Sequence, residues 1–138
     1  MRICYYEYMK RTSLKSIFII ALCSAFFAAC SSVPKEIPED LTAQELIQKG
    51  QAEFESGHYK ASLTYYNAVT ERYSDVPPVY AEACYEIGHL YMRQKKYDTA
   101  EVIFQELIDL YAAAQPGSMP GSYQKLAQLQ MAKINEKK

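Results

Sequence analysis

The chain has 138 residues, 22% of them charged and 49% hydrophobic, with a formal net charge of −1. That length holds one ordinary domain, and an apolar cluster near the start leaves only about a hundred residues to fold. From residue 30 onward eleven Lys and Arg stand against fifteen Asp and Glu, and the only basic doublets there are Lys95-Lys96 and Lys137-Lys138; such a body lacks the clustered cations that phosphate neutralisation needs, which argues against nucleic acid as a partner.

In chain order, the first organised segment opens at Met9, where Lys10, Arg11 and Lys15 precede an apolar run, SIFIIALCSAFFAA, at residues 16–29. A charged start, an apolar run and a close on small residues make up a secretion signal. The run has fourteen residues, short of the roughly twenty that a spanning helix needs. Residues 1–29 are therefore expected to be a cleaved signal. Residues 1–8 fit a charged start poorly, so Met9 is the expected initiator. Phe27-Ala28-Ala29-Cys30 resembles the lipobox of bacterial lipoproteins, with Phe27 where Leu is common. That resemblance implies that Cys30 carries diacylglycerol and becomes the mature N-terminus. Residues 30–40 are short, polar and interrupted by Pro34 and Pro38, and read as a tether between lipid and domain. With Cys4 and Cys23 removed and Cys30 lipidated, Cys84 is the remaining thiol, a small core residue, and no intramolecular disulfide is expected.

From residue 41 to 138 the apolar residues recur at three and four, the period of helices, with no strand-like alternation. Thr42 and Glu45 form a capping box that predicts a helix start, and Ser56-Gly57 predicts its end. Tyr59, Leu63, Tyr66, Val69 and Tyr73 fall on one face of a second helix, stopped before Pro77-Pro78. Pro78 suits the first turn of a third. A shift of 38 residues superimposes Gly50 on Gly88, Phe54 on Met92, Tyr59 on Tyr97, Tyr66 on Phe104, Val69 on Leu107 and Tyr73 on Tyr111. This internal repeat predicts a stacked helical array. Each mid-helix glycine costs about 1 kcal/mol against Ala, which two matched positions repay only if a neighbouring helix comes too close for a side chain. A last amphipathic segment with Tyr123, Leu126, Leu129 and Ile134 reads as a fifth helix that caps the stack.

The segment CYEIGHLY at residues 84–91, followed by Ala100 and Phe104, resembles the tetratricopeptide repeat. Cys84 departs at the large aromatic position and Ala112 at the terminal proline position. The first copy departs more, with Lys49 and Glu53 at apolar positions and Ser62 in place of Ala, while Leu46, Gly50, Tyr59 and Tyr66 stay in register. The resemblance implies an all-α fold, a short solenoid of two helix-turn-helix repeats plus a C-terminal capping helix, and protein partners. Glu71-Arg72-Tyr73 and the joint after it are similar to the periplasmic subclass that includes the lipoprotein of the outer-membrane β-barrel assembly machinery. Ser31 and Ser32 lack the Asp that retains enteric lipoproteins on the inner membrane, so the expected location is the outer membrane, lipid-anchored on its periplasmic face.

No catalytic constellation emerges. His58 and His89 have no ligand at metal-binding spacing, no phosphate loop or nucleophile elbow is present, and Glu82 with Glu86 reads as a solvated acidic edge. The chain is expected to be no enzyme and to carry no metal or cofactor. The repeat resemblance places Ile47, Gln51 and Phe54 of the first hairpin and Tyr85, His89 and Met92 of the second on the concave side, with Gln44 and Glu82 beside them. A groove of this composition is expected to take an amphipathic helix or apolar segment, anchored by Tyr85 and Phe54. Two and a half repeats fall short of the three usually required, which favours self-association or docking on an envelope partner. The functional reading is an envelope scaffold, with an apolar-ligand carrier for a transporter as the alternative.

Overall fold

The computed structural model describes residues 33–137; residues 1–29, expected to be a signal, and Cys30 lie outside the described residues. These form five helices and, among the described residues, no strand: α1 Ala43–Glu55, α2 Tyr59–Arg72, α3 Pro77–Arg93, α4 Tyr97–Ala113 and α5 Ser122–Asn135. None of them is long and apolar enough to cross a membrane.

Local chemistry sets the helix ends. Thr42 Oγ1 accepts from the Glu45 amide at 3.3 Å, and the Glu45 carboxylate accepts from the Thr42 amide at 2.8 Å, so the capping box satisfies two otherwise orphaned donors. Proline at both N1 and N2, Pro77 and Pro78, starts α3 without a side-chain cap, because amides there have no helical partner. Both hairpin turns close in the same way. The His58 amide donates to Glu53 O at 2.9 Å and the Gly57 amide to Phe54 O at 3.0 Å; 38 residues on, Lys96 donates to Tyr91 O and Lys95 to Met92 O, each at 3.0 Å. This is the Schellman closure, whose C′ residue needs a left-handed backbone. Gly57 supplies it at φ +80°, and Lys95 adopts it at φ 60° despite its side chain.

The matched glycines are close-approach points. A Cβ on Gly88 would lie 2.6 Å from Phe104 Cε1, and one on Gly50 would overlap the Tyr66 ring. Tyr66 and Phe104 are both 0% exposed, so each aromatic ring from the second helix of a hairpin lies across the backbone of the first. The core has two cells. Leu46, Ile47, Ala68, Val69 and Ala83 form one, and Ala81, Ala100, Phe104, Leu107, Met119, Ala127 and Ile134 the other. Helix α3 divides them, Ala83 facing the first cell and Ala81 the second.

The segment read as a tether is, near the domain, a docked strap. Arg72 donates from Nη1 to Pro38 O at 2.8 Å and from Nη2 to Ile37 O at 2.9 Å, and the Tyr73 hydroxyl donates to Leu41 O at 3.3 Å. Ile37 and Leu41 pack against the first core cell. Extended backbone without helical hydrogen bonds needs donors from elsewhere, and the guanidinium fork supplies two.

Helix α5 packs on both α4 and α3, and a shift of 44 residues places its buried Ala127 and Ile134 on Ala83 and Leu90 of α3, all four 0% exposed. It therefore occupies the place of a third inner helix. The face it would turn to a further helix carries Lys125, Gln128 and Ala132, all exposed, which fits its capping role.

Candidate functional site

Helices α1, α3 and α5 line one side of the solenoid, the side expected to be concave, and side chains join them in pairs. Between α1 and α3, Gln51 Nε2 donates to Glu86 Oε1 at 3.3 Å, and the Phe54 and His89 rings lie 5.2 Å apart. Arg93 stands over the Phe54 ring, 6.0 Å from its centroid. Between α3 and α5, Gln130 Nε2 donates to the Tyr85 hydroxyl at 3.4 Å and the Tyr85 and Tyr123 rings lie 5.6 Å apart.

The residues expected on this face divide into three sets. Gln51, Phe54 and His89 are half-buried and meet at the α1/α3 seam. Tyr85 and Met92 are half-buried but pack against the second core cell, and Tyr85 touches Phe104, Tyr123 and His89 at once. Ile47 departs from the expectation. At 1% exposure it sits inside the first core cell with Ala83, because the neighbouring helix α3 covers that side of α1. It offers a partner no surface.

Helix α5 adds residues to this wall. Tyr123, Leu126, Gln130 and Lys133 recur at three and four along one stripe, and the stripe's contacts with Tyr85 show that it turns toward α3. Leu126 is 37% exposed on it, and Leu129 beside it is 50% exposed.

The face is electrically divided. At one end, burial raises the Glu86 carboxyl above its usual range, an effect that Gln51 opposes and Glu82 reinforces. Burial and then the Glu82 carboxylate raise the Tyr123 phenol. At the other end, burial and then the charges of Arg93 and Lys133 lower His89. Glu82 and Glu86 thus belong to the groove, and the edge expected to be solvated is partly dry. His58 lies away from it in the hairpin turn, where Nδ1 is 2.8 Å from Glu53 Oε2. No group of three or more His, Cys, Asp or Glu among the described residues is placed to hold a metal. The arrangement suits binding, with aromatic contact in the middle and opposite charge at the ends.

The tetratricopeptide repeat family model matches residues 81–113. A relative described as an uncharacterized protein of Treponema pallidum (strain Nichols) is 27% identical over 117 residues, 83% of this chain and 47% of that protein. The chain spans about half the length of that relative. No solved structure matches. The match runs through most of α3 and all of α4, the helices joined by the Gly88–Phe104 contact, so the second hairpin matches a tetratricopeptide repeat, and the described residues fold as a short helical solenoid of that type.

Proposed function

We propose that the chain is a membrane-anchored interaction scaffold of the bacterial cell envelope, held by lipid on Cys30 at the periplasmic face of the outer membrane, where it serves as an accessory of outer-membrane protein assembly. The observation that carries the interaction half is the shared wall of α1, α3 and α5, with Phe54 and His89 half-buried and Leu126 and Leu129 exposed. Adjoining apolar groups on one face mark an interaction site. The lipobox-like Phe27-Ala28-Ala29-Cys30 supports the anchor.

Each half has its own test. Cys30→Ala should abolish labelling by a fatty-acid analogue and release the protein from membranes; retention of both removes the anchor. Leu129→Gln leaves the core untouched and should lose the partners that co-purify with wild type from crosslinked membranes, by at least fivefold. An unchanged partner set at equal expression places the working surface elsewhere. Tyr85→Ala is a poorer probe, since Tyr85 holds α5 in place.

A further inference from the structure

Beside the second hairpin, at the edge where the N-terminal half of α3 meets the C-terminal half of α4, lies an open pocket of about 350 Å³. Tyr80, Cys84, Ile103, Glu106, Leu107 and Leu110 line it. The 38-residue repeat carries these positions onto Thr42, Leu46, Tyr65, Ala68, Val69 and Arg72 of the first hairpin. There the matching place is filled. Ile37 and Leu41 pack against the cell that holds Leu46, Ala68 and Val69, and Arg72 grips the carbonyls of Ile37 and Pro38. One hairpin therefore shows what kind of segment the seat takes, and the other shows the seat open.

Two features keep the second seat open. Helix α3 begins at Pro77, whereas α1 begins at Ala43, the counterpart of Ala81. Pro77, Pro78 and Val79, the counterparts of Glu39, Asp40 and Leu41, are therefore wound into the first turn of α3, and Val79 packs against the first core cell instead. Cys84 also stands where the first hairpin has Leu46, a larger side chain. We propose that this seat binds an extended segment of a partner protein, in which two aliphatic side chains flank a proline and basic residues accompany them, laid down as residues 37–41 lie on the first hairpin.

Charge decides the occupant. The strap of the first hairpin carries Glu36, Glu39 and Asp40, and its seat has Arg72. The second seat has Leu110 in place of Arg72 and Glu106 in place of Ala68, with Asp109 next to it. Asp109 matches Glu71 of the first hairpin, so the change is the loss of one cation and the gain of one carboxylate, which leaves the second seat acidic. A strap from a second copy would bring three carboxylates against Glu106 and Asp109, while a basic segment finds complementary charge. Tyr111, the counterpart of Tyr73, already donates to Pro120 O at 2.7 Å, so the occupant is held by its side chains more than by its carbonyls.

This surface is separate from the wall of α1, α3 and α5, and its test stands apart from the scaffold reading. The probes are three fluorescent peptides: Lys-Lys-Ile-Pro-Lys-Lys-Leu, the native strap sequence Lys-Glu-Ile-Pro-Glu-Asp-Leu, and Lys-Lys-Gly-Pro-Lys-Lys-Gly, titrated against the full chain by anisotropy. The first should bind saturably, at least fivefold tighter than the other two. Cys84→Leu, which fills the pocket as Leu46 does, should weaken it at least tenfold with no loss of thermal stability. Glu106→Arg should weaken it similarly and narrow the gap to the native strap peptide. The proposal is overturned by absence of saturable binding up to millimolar peptide, by equal binding of the glycine peptide, by insensitivity to Cys84→Leu, or by preference for the native strap sequence, which would assign the seat to a second copy.

Discussion

In the first hairpin Tyr66 lies across Gly50, and in the second Phe104 lies across Gly88, yet the residues around these two contacts differ at matched positions. Glu53 and His58 close the first turn as a polar pair at 2.8 Å. Their counterparts Tyr91 and Lys96 close the second with the ammonium 5.5 Å from the ring centroid. Ser62 is buried where the second hairpin has Ala100. What is held constant is the ring against the bare backbone, because it sets the spacing of two helices. Elsewhere one attraction substitutes for another, so the first hairpin departs from the repeat pattern without departing from its geometry.

The comparison can be broken most sharply at the glycines. Gly88→Leu and Gly50→Leu should each destabilise by about 1–3 kcal/mol through overpacking, lowering the melting point by about 4–8 °C per kcal/mol for a domain of this size. Calorimetry of the two variants should show losses of similar size. A loss confined to one hairpin would mean that only one contact carries weight.

Ser62→Ala tests the opposite direction. The hydroxyls of Ser62 and Tyr66 are buried beside each other without closing a well-formed hydrogen bond. Replacing Ser62 with the residue found at its counterpart should stabilise by about 1 kcal/mol, since an unsatisfied buried hydroxyl costs that much or more. A lower denaturation midpoint would reveal a partner for the hydroxyl.

A smaller gain is expected at the second turn. A side chain in the left-handed region costs about 1–2 kcal/mol, partly offset by the extra freedom of glycine in the unfolded chain. Lys95→Gly should thus raise stability by about 0.5–1 kcal/mol in urea melts, and Gly57→Ala should lower it. Equal curves for Lys95→Gly and wild type would mean that the turn relaxes around Lys95.

The finest probe is pH. Glu86 binds its proton more readily folded than unfolded, so its contribution to stability falls as pH rises from 4.5 through its elevated folded value. His89 binds its proton less readily folded, so its contribution falls as pH drops below 6.5 toward its depressed folded value. Glu86→Gln should remove the first slope and His89→Gln the second, each read from urea melts across pH 4 to 8. If neither slope changes, the groove is wetter than its packing indicates.

Helix count, the capping box, the 38-residue repeat and the glycine contacts were all legible in the sequence, because periodicity and internal matching report local geometry. Three features were not. Helical spacing cannot tell a face turned to the groove from one turned to the next repeat, and so Ile47 was expected outside the core. The strap depends on Arg72, 34 residues beyond Pro38, and nothing in the composition of residues 30–40 announces that pairing. The fifth helix reads in the sequence as a half repeat, but its contribution of Tyr123 and Gln130 to the groove was not foreseen, because its register follows a 44-residue match at Ala127 and Ile134, a different period from the one that aligns the hairpins.

The connection at residues 114–121 spans eight residues where each hairpin turn spans three, and α5 begins without a side-chain cap. Longer closure costs more entropy, and α5 buries only Ala127 and Ile134 fully. Local opening of the domain is therefore expected to begin with this helix undocking, at a cost below that of global unfolding. Anything that touches both Tyr85 and Leu129 binds only the docked form, so its apparent affinity is scaled by the fraction of molecules in which α5 is seated. The third wall is then an adjustable one: substitutions in the loop, far from the ligand, would tune affinity by changing how often the wall stands.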